Sequence, residues 1–274
     1  MLGAGQLARH YLAVNQLEVL SCEPQTRRHA TPLLFVHGAF AGAWVWDEHF
    51  LPWFAAQGYS AHAVSLRGHG GSAGHERIDW YSIHDYVEDV AEVVADLAAA
   101  PVLIGHSMGG FVVQKYLERH AVPAAVLMCS VPPQGLVAAQ FSLLFEKPGL
   151  MMEINRLLGG GNVALDVLRD ALFAQEVSDE TLRRYYRMMQ PESQRAIWDM
   201  SVFSLPNLNA MAKPPLLVLG AEKDVLMPAF LVQSTARTYG VPDKIFRGMG
   251  HGVMLEKDWQ HVAETIRDWL ETVV

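Results

Sequence analysis

The six residues Gly105-His106-Ser107-Met108-Gly109-Gly110 follow directly on the apolar run Pro101-Val102-Leu103-Ile104. A short apolar run of this kind reads as a strand buried on both faces, and helical spacing takes over from Phe111. The chain therefore turns from strand to helix within a few residues, with Ser107 at the tip. A serine placed there adopts a strained backbone, and side chains two residues to either side would collide with the crossing strand and helix. Gly105 and Gly109 remove those side chains. The pattern is a strand, a sharp turn, an exposed serine and a helix.

The rest of the chain fits around that turn. Residues 11–21 alternate apolar and polar and predict one antiparallel strand at the start of a sheet, followed by the turn-rich stretch 24–31. Leu33-Leu34-Phe35-Val36 predicts a buried strand that stops at His37-Gly38. Residues 47–57 predict a helix ended by Gly58, residues 60–66 a strand, and residues 83–100 a helix with Val87, Val90, Val94 and Leu97 on one face. After the serine turn come a helix over 111–120 and a buried strand over 124–129. Strand–helix alternation then stops from 131 to about 214, where short helices are separated by Pro148-Gly149, Gly159-Gly160-Gly161 and Pro191. It resumes with strands at 216–219 and 244–246 and helices at 229–239 and 259–272. Such alternation implies right-handed crossovers, hence an α/β fold with a mostly parallel central sheet flanked by helices. With 274 residues, 51% of them hydrophobic, one large core with an insertion is the economical division. Residues 1–131 and 214–274 form the core, and 132–213 a helical cap inserted after the predicted strand at 124–129.

Charge and cysteine usage exclude several roles. Twenty-one Lys and Arg against 29 Asp and Glu give a net charge of −8, and no basic run could line a phosphate backbone, so nucleic acid is not an expected partner. Cys22 and Cys129 are expected as thiols, with Cys129 in a buried strand. Met1 to Arg9 lacks a basic region followed by an unbroken apolar stretch, and no window is apolar enough to cross a membrane, which favours a cytoplasmic protein. A mean hydropathy of +0.12 is high for such a chain and suits an apolar pocket or lid. His69 and His75 share a glycine-rich loop, but no cluster has metal-ligand spacing, so neither metal nor cofactor is expected.

Four blocks in order carry a resemblance to the α/β-hydrolase family: His37-Gly38-Ala39, Arg67-Gly68-His69-Gly70-Gly71-Ser72, the turn at Ser107, and Gly250-His251-Gly252 preceding Met254-Leu255-Glu256. The resemblance implies Ser107 as nucleophile, His251 as its base and an acid that orients the imidazole. Asp224, just past the strand at 216–219, fits the acid, with Glu222 as its rival. The stretch Cys129-Ser130-Val131-Pro132-Pro133-Gln134 offers no carboxylate at the family's other acid position. By the same resemblance the backbone N–H groups of Ala39 and Met108 form the oxyanion hole. One departure stands out: the family usually has an aspartate where this chain has Ser65, a change expected to affect the loop and not the chemistry.

Phe40, Trp44 and, in the cap, Trp198 are candidate substrate-binding residues, although the aromatics can equally pack the core. The cap's methionines suit an irregular apolar ligand, and the run Gly159-Gly160-Gly161 would permit a hinge. The resemblance implies a serine hydrolase of carboxylesterase, lysophospholipase or monoacylglycerol-lipase type acting on a small-molecule ester. Serine at the turn separates the chain from haloalkane dehalogenases and epoxide hydrolases, which carry aspartate there. His106 separates it from carbon–carbon bond hydrolases, which commonly carry asparagine. The segment His37 to Trp44 also looks like the oxyanion loop of plant methylesterases and hydroxynitrile lyases. A small-ester hydrolase, a lyase or a ligand receptor retaining the triad therefore remain alternatives, and the oligomeric state is left open.

Overall fold

The computed structural model describes residues 8–14 and 16–274, so most of the Met1 to Arg9 stretch lies outside the described residues. Strands β1 (Ala8–Val14) and β2 (Leu17–Glu23) form an antiparallel hairpin where the alternation over 11–21 predicts a single strand. Neither glycine nor proline marks the change of direction in the sequence, where Asn15 and Gln16 separate two apolar stretches; Gln16 takes the left-handed conformation, φ +75°.

The chain continues through β3 (Leu33–Val36), α1 (Trp44–Asp47), α2 (Phe50–Ala56), β4 (Ala61–Val64) and a 3-10 helix at His75–Trp80. It proceeds through α3 (Ile83–Asp96), β5 (Val102–His106), α4 (Met108–Tyr116) and β6 (Ala125–Met128). Thus the helix predicted over 47–57 is two short ones, and the one predicted from 111 begins immediately after Ser107. Five helices follow: α5 (Val137–Glu146), α6 (Pro148–Leu158), α7 (Leu165–Leu172), α8 (Asp179–Met188) and α9 (Gln194–Trp198), the last running into a π-helical turn at Asp199–Phe203. The core resumes with β7 (Leu216–Ala221), α10 (Ala229–Tyr239), β8 (Asp243–Phe246) and α11 (Trp259–Val273).

The eight strands lie in the order β1-β2-β4-β3-β5-β6-β7-β8. Pairing is antiparallel from β1 to β4 and parallel from β4 onward. Every residue of β3, β4, β5 and β6 is buried, which is why these strands read as continuous apolar runs. Alternate residues feed two cores. Leu33, Phe35 and Ile104 pack with Phe50 and Phe54 of α2 and Ile266 of α11. Leu34, Val36 and Leu103 pack with Val90 of α3 and Phe111 of α4 on the opposite face. Among the described residues no helix is long and apolar enough to cross a membrane.

Candidate active site

Ser107 sits between β5 and α4 with φ +53° and ψ −117°, a region that costs a non-glycine residue on the order of 1–3 kcal/mol and persists only where surroundings impose it. Here the neighbouring strand imposes it: Ser107 N–H donates to the Met128 carbonyl at 3.0 Å, and its carbonyl accepts from Val131 N–H at 3.2 Å. A Cβ on Gly105 would fall on the Gly109 carbonyl, and one on Gly109 on the Val36 carbonyl, so both glycines are required by close approach.

His251 lies in the loop after β8 and is buried. Its Nδ1–H donates to Asp224 Oδ2 at 2.8 Å, which leaves Nε2 as the proton acceptor. The other oxygen, Oδ1, accepts from the Leu226 and Met227 N–H groups at 2.9 and 2.8 Å. The Cys129 thiol completes the shell. Burial and the Asp224 charge, to which it hydrogen-bonds, push its pKa well up, so it stays protonated. The alternative acid, Glu222, is exposed and accepts from Gly248 N–H at 2.9 Å.

Both glycines beside His251 meet the inserted helices. A Cβ on Gly250 would stand 2.8 Å from Ala174 N, and one on Gly252 3.1 Å from the Leu172 carbonyl, which accepts Gly252 N–H at 2.7 Å. Buried Glu256 joins the same seam, accepting from Gly250 and Ala174 N–H at 2.7 Å and from Gln175 N–H at 3.1 Å. His106 braces the loop from the other side, donating Nε2–H to the His251 carbonyl at 2.9 Å with the two rings 4.6 Å apart. Burial, reinforced by His251, holds the His106 pKa well below its ordinary value, so this ring is neutral. Sequence reading used His106 only to separate families; its bracing role depends on a contact across 145 positions.

The loop after β3 is similarly fixed. Burial, with His69 nearby, lowers the His37 pKa to about 3. The neutral ring donates Nδ1–H to the Gly38 carbonyl at 2.8 Å and accepts Leu66 N–H on Nε2 at 3.0 Å. Ser65, the departure noted above, receives Ala43 N–H at 2.8 Å and donates to Glu18 Oε2 at 2.6 Å, while Gly71 N–H reaches the same oxygen at 2.9 Å. Glu18 on β2 thus brings a carboxylate to the loop whose own position 65 lacks one.

Ala39, Phe40, Ser107 and Met108 border one cavity of about 170 Å³. Met108 is the first residue of α4, so its N–H has no intrahelical partner and lies at the positive end of the helix dipole. Ser107, Gln140 and Asn155 are the polar residues of the lining. The remainder is aliphatic or aromatic and comes mainly from the inserted helices, including Leu143, Met151, Leu172, Met189 and Met200. Two expected wall residues lie elsewhere. Trp44 is half-buried at the seam with the insertion, its ring 5.6 Å from that of Tyr185 on α8. Trp198 is 59% exposed, because Ile197 and Met200 take the inward face where α9 enters its π-turn. It borders an outer hollow of about 370 Å³ that shares Gln140, Met151, Asn155, Leu158 and Ile197 with the inner cavity.

Of the two histidines on the glycine-rich loop, His69 is buried against Glu192 and His75 is exposed against the Gly70 carbonyl. Among the described residues the one group close enough to share a metal is His106, Cys129 and His251, with ligand atoms within 4.8 Å of one another. Asp224 already engages two of the three.

A family model described as the alpha/beta hydrolase family matches residues 33–265. The chain is similar to a non-heme haloperoxidase of Rhodococcus erythropolis, 28% identical over 249 residues covering 81% of this chain and 86% of that protein. A monoacylglycerol lipase of Mycolicibacterium smegmatis is 27% identical over 240 residues, 81% of this chain and 82% of that one. An esterase structure from Exiguobacterium antarcticum matches the fold with a TM-score of 0.69 at 19% identity, covering 95% of this chain and 98% of that chain.

Proposed function

We propose that this chain, which belongs to the alpha/beta hydrolase family, cleaves carboxylic esters through an acyl-enzyme on Ser107 and favours a hydrophobic acyl or aromatic substrate. The observation that carries this reading is a strained serine on a cavity whose other walls are almost wholly apolar. A small-molecule ester buries its hydrocarbon there and presents its carbonyl to Ser107.

His251 Nε2 takes the Ser107 proton as Oγ attacks the ester carbonyl. Asp224 holds the ring by Nδ1 and stabilises the imidazolium that forms. The Ala39 and Met108 N–H groups receive the oxyanion. Collapse of the tetrahedral adduct expels the alcohol, which takes the proton back from His251. Water then attacks the acyl-enzyme with the same base, releasing the acid and restoring Ser107. Inserted helices roof the site as a cap over residues 132–213, and the outer hollow beside Trp198 is the route by which a chain enters. A cytoplasmic setting accompanies this reading, as does the absence of any nucleic-acid role.

Steady-state hydrolysis of p-nitrophenyl esters from acetate to palmitate, beside Ser107→Ala, tests it. Turnover that peaks at medium or long chains and vanishes in the variant is the expected result. A peak at acetate would favour the small-ester alternative, and a folded wild type without turnover would favour a lyase or a ligand receptor.

A further inference from the structure

A carboxylate from the insertion reaches the loop that carries Ala39. Glu192, just ahead of α9, is fully buried. Its Oε2 accepts from Phe40 N–H at 3.3 Å and from His69 Nε2–H at 3.0 Å. Its Oε1 accepts from the Tyr86 hydroxyl at 2.9 Å and Ser193 N–H at 2.7 Å. Gln190 grips the same loop: its N–H donates to the Phe40 carbonyl at 3.2 Å, its side-chain amide to the Ala41 carbonyl, and its Oε1 accepts Gly70 N–H at 3.4 Å.

Phe40 requires such holding, because its φ of +64° is unfavourable for a bulky side chain unless the surroundings fix it. The loop also has no slack toward the nucleophile. A Cβ on Gly38 would stand 2.9 Å from His106 Nδ1 and 3.0 Å from Ser107 Cβ. A buried carboxylate persists only when it is paired and hydrogen-bonded, and His69 supplies the pairing. Burial alone would lower the His69 pKa, yet the Glu192 charge and hydrogen bond leave it raised. Burial alone would raise that of Glu192, yet His69 and the donated hydrogen bonds leave it lowered.

We propose that Glu192 is a positioning residue of the oxyanion hole: by holding Phe40 it fixes the loop that presents the Ala39 N–H to the charge developing on the substrate carbonyl oxygen. The role rests on the ester-hydrolase reading above. Tyr86 supplies an internal control: its hydroxyl binds the same carboxylate, whereas the hydrogen bonds to the Phe40 backbone come from Glu192 and Gln190.

The test compares Glu192→Gln, Gln190→Ala and Tyr86→Phe by p-nitrophenyl butyrate turnover, burst titration of active sites and inhibition by phenylboronic acid, which forms a tetrahedral adduct on serine. An oxyanion donor acts only in the transition state, so displacing it lowers kcat and spares KM. Glu192→Gln should lower kcat per titrated site about 10–100-fold, leave KM within about 2-fold and weaken the boronate by a similar factor to kcat. Gln190→Ala leaves the buried pair intact and should move the same two quantities in the same direction by about 3–10-fold, which keeps the proposal testable if Glu192→Gln does not fold. Tyr86→Phe should lower thermal stability while kcat per site stays within about 2-fold. A purely structural Glu192 would reduce the number of titratable sites and leave kcat per site and boronate affinity unchanged. That result, with Ser107-dependent turnover intact in wild type, overturns the positioning role alone. A wild type that neither turns over nor titrates overturns the hydrolase reading with it.

Discussion

The two halves of the inserted segment line the same cavity but are attached to the core by different means. The first half, α5 and α6, is the loosely attached one. Helix α6 buries no residue completely, α5 buries only Ala139 and Leu143, and Phe141, Phe145 and Met152 are exposed. The second half is bolted at two seams. Leu172, Ala174 and Gln175 bond to the His251 loop through Gly252 and Glu256, and residues 190–199 bond to the Phe40 loop and to α3. There Ser193 donates its hydroxyl to the Tyr81 carbonyl at 2.5 Å, and Asp199 accepts Ile83 N–H at 3.1 Å. Local opening follows the distribution of buried contacts, so α5 and α6 are expected to open more readily than the second half.

The largest effects should arise on the fixed side. Asp224→Asn should cut turnover about 10⁴-fold while the protein still folds, because the imidazole loses its tautomer and its counter-charge. A larger loss from Glu222→Gln would reassign the acid. Next, Glu256→Gln leaves at least one of the N–H groups of Gly250, Ala174 and Gln175 without its acceptor and should cost about 1–3 kcal/mol in thermal or denaturant unfolding. Met152→Ser on exposed α6 should stay within about 0.5 kcal/mol. Equal losses in these two variants would erase the distinction between the halves. Hydrogen exchange is the direct measure: amides of α5 and α6 should exchange at least about 10-fold faster than those of α9, and the reverse order would invert the comparison.

The smallest effect concerns pH. His69 has a raised pKa, so its stabilising contribution is complete below the ordinary imidazole range and fades as pH rises through the raised value. Glu192 has a lowered pKa, so its contribution is complete above the ordinary carboxylate range and fades as pH falls through the lowered value. Melting temperature should therefore be highest between these limits, and His69→Asn should remove the decline on the alkaline side. A variant that declines there as steeply as wild type would show that the second seam does not depend on this ion pair.

Those parts of the candidate site whose constraints are local are legible in the sequence. Ser107 and His251 are flanked by glycines because a backbone passes close on each side, and such close approach writes itself into neighbouring positions. The parallel strands were equally legible, since burial on both faces leaves no polar alternation. Groups supplied from a distance were not. Glu18 brings its carboxylate to a loop some fifty positions away with no motif around it, and Glu256, although it closely follows His251, serves a segment across 82 positions that its motif does not point to. The place of Trp198 in the outer hollow and not on the inner wall is hidden for a third reason: a hydrophobic residue at a helix end does not disclose which way a π-turn will rotate it. The hairpin is harder to read because neither glycine nor proline stands where Gln16 takes φ +75°, and Asn15 alone is a weak turn signal between two apolar stretches.

The bond from Phe40 to Glu192 spans 152 positions, and that separation sets an order of assembly. The serine turn and its flanking strands emerge from synthesis and can fold before the segment carrying Glu192 exists. Closing a loop of that length comes late and only once the intervening helices have docked. On the proposed reading, a nascent chain acquires its nucleophile well before the groups that hold the loop beside it, and deleting residues 132–213 should yield an idle core, not an unroofed enzyme.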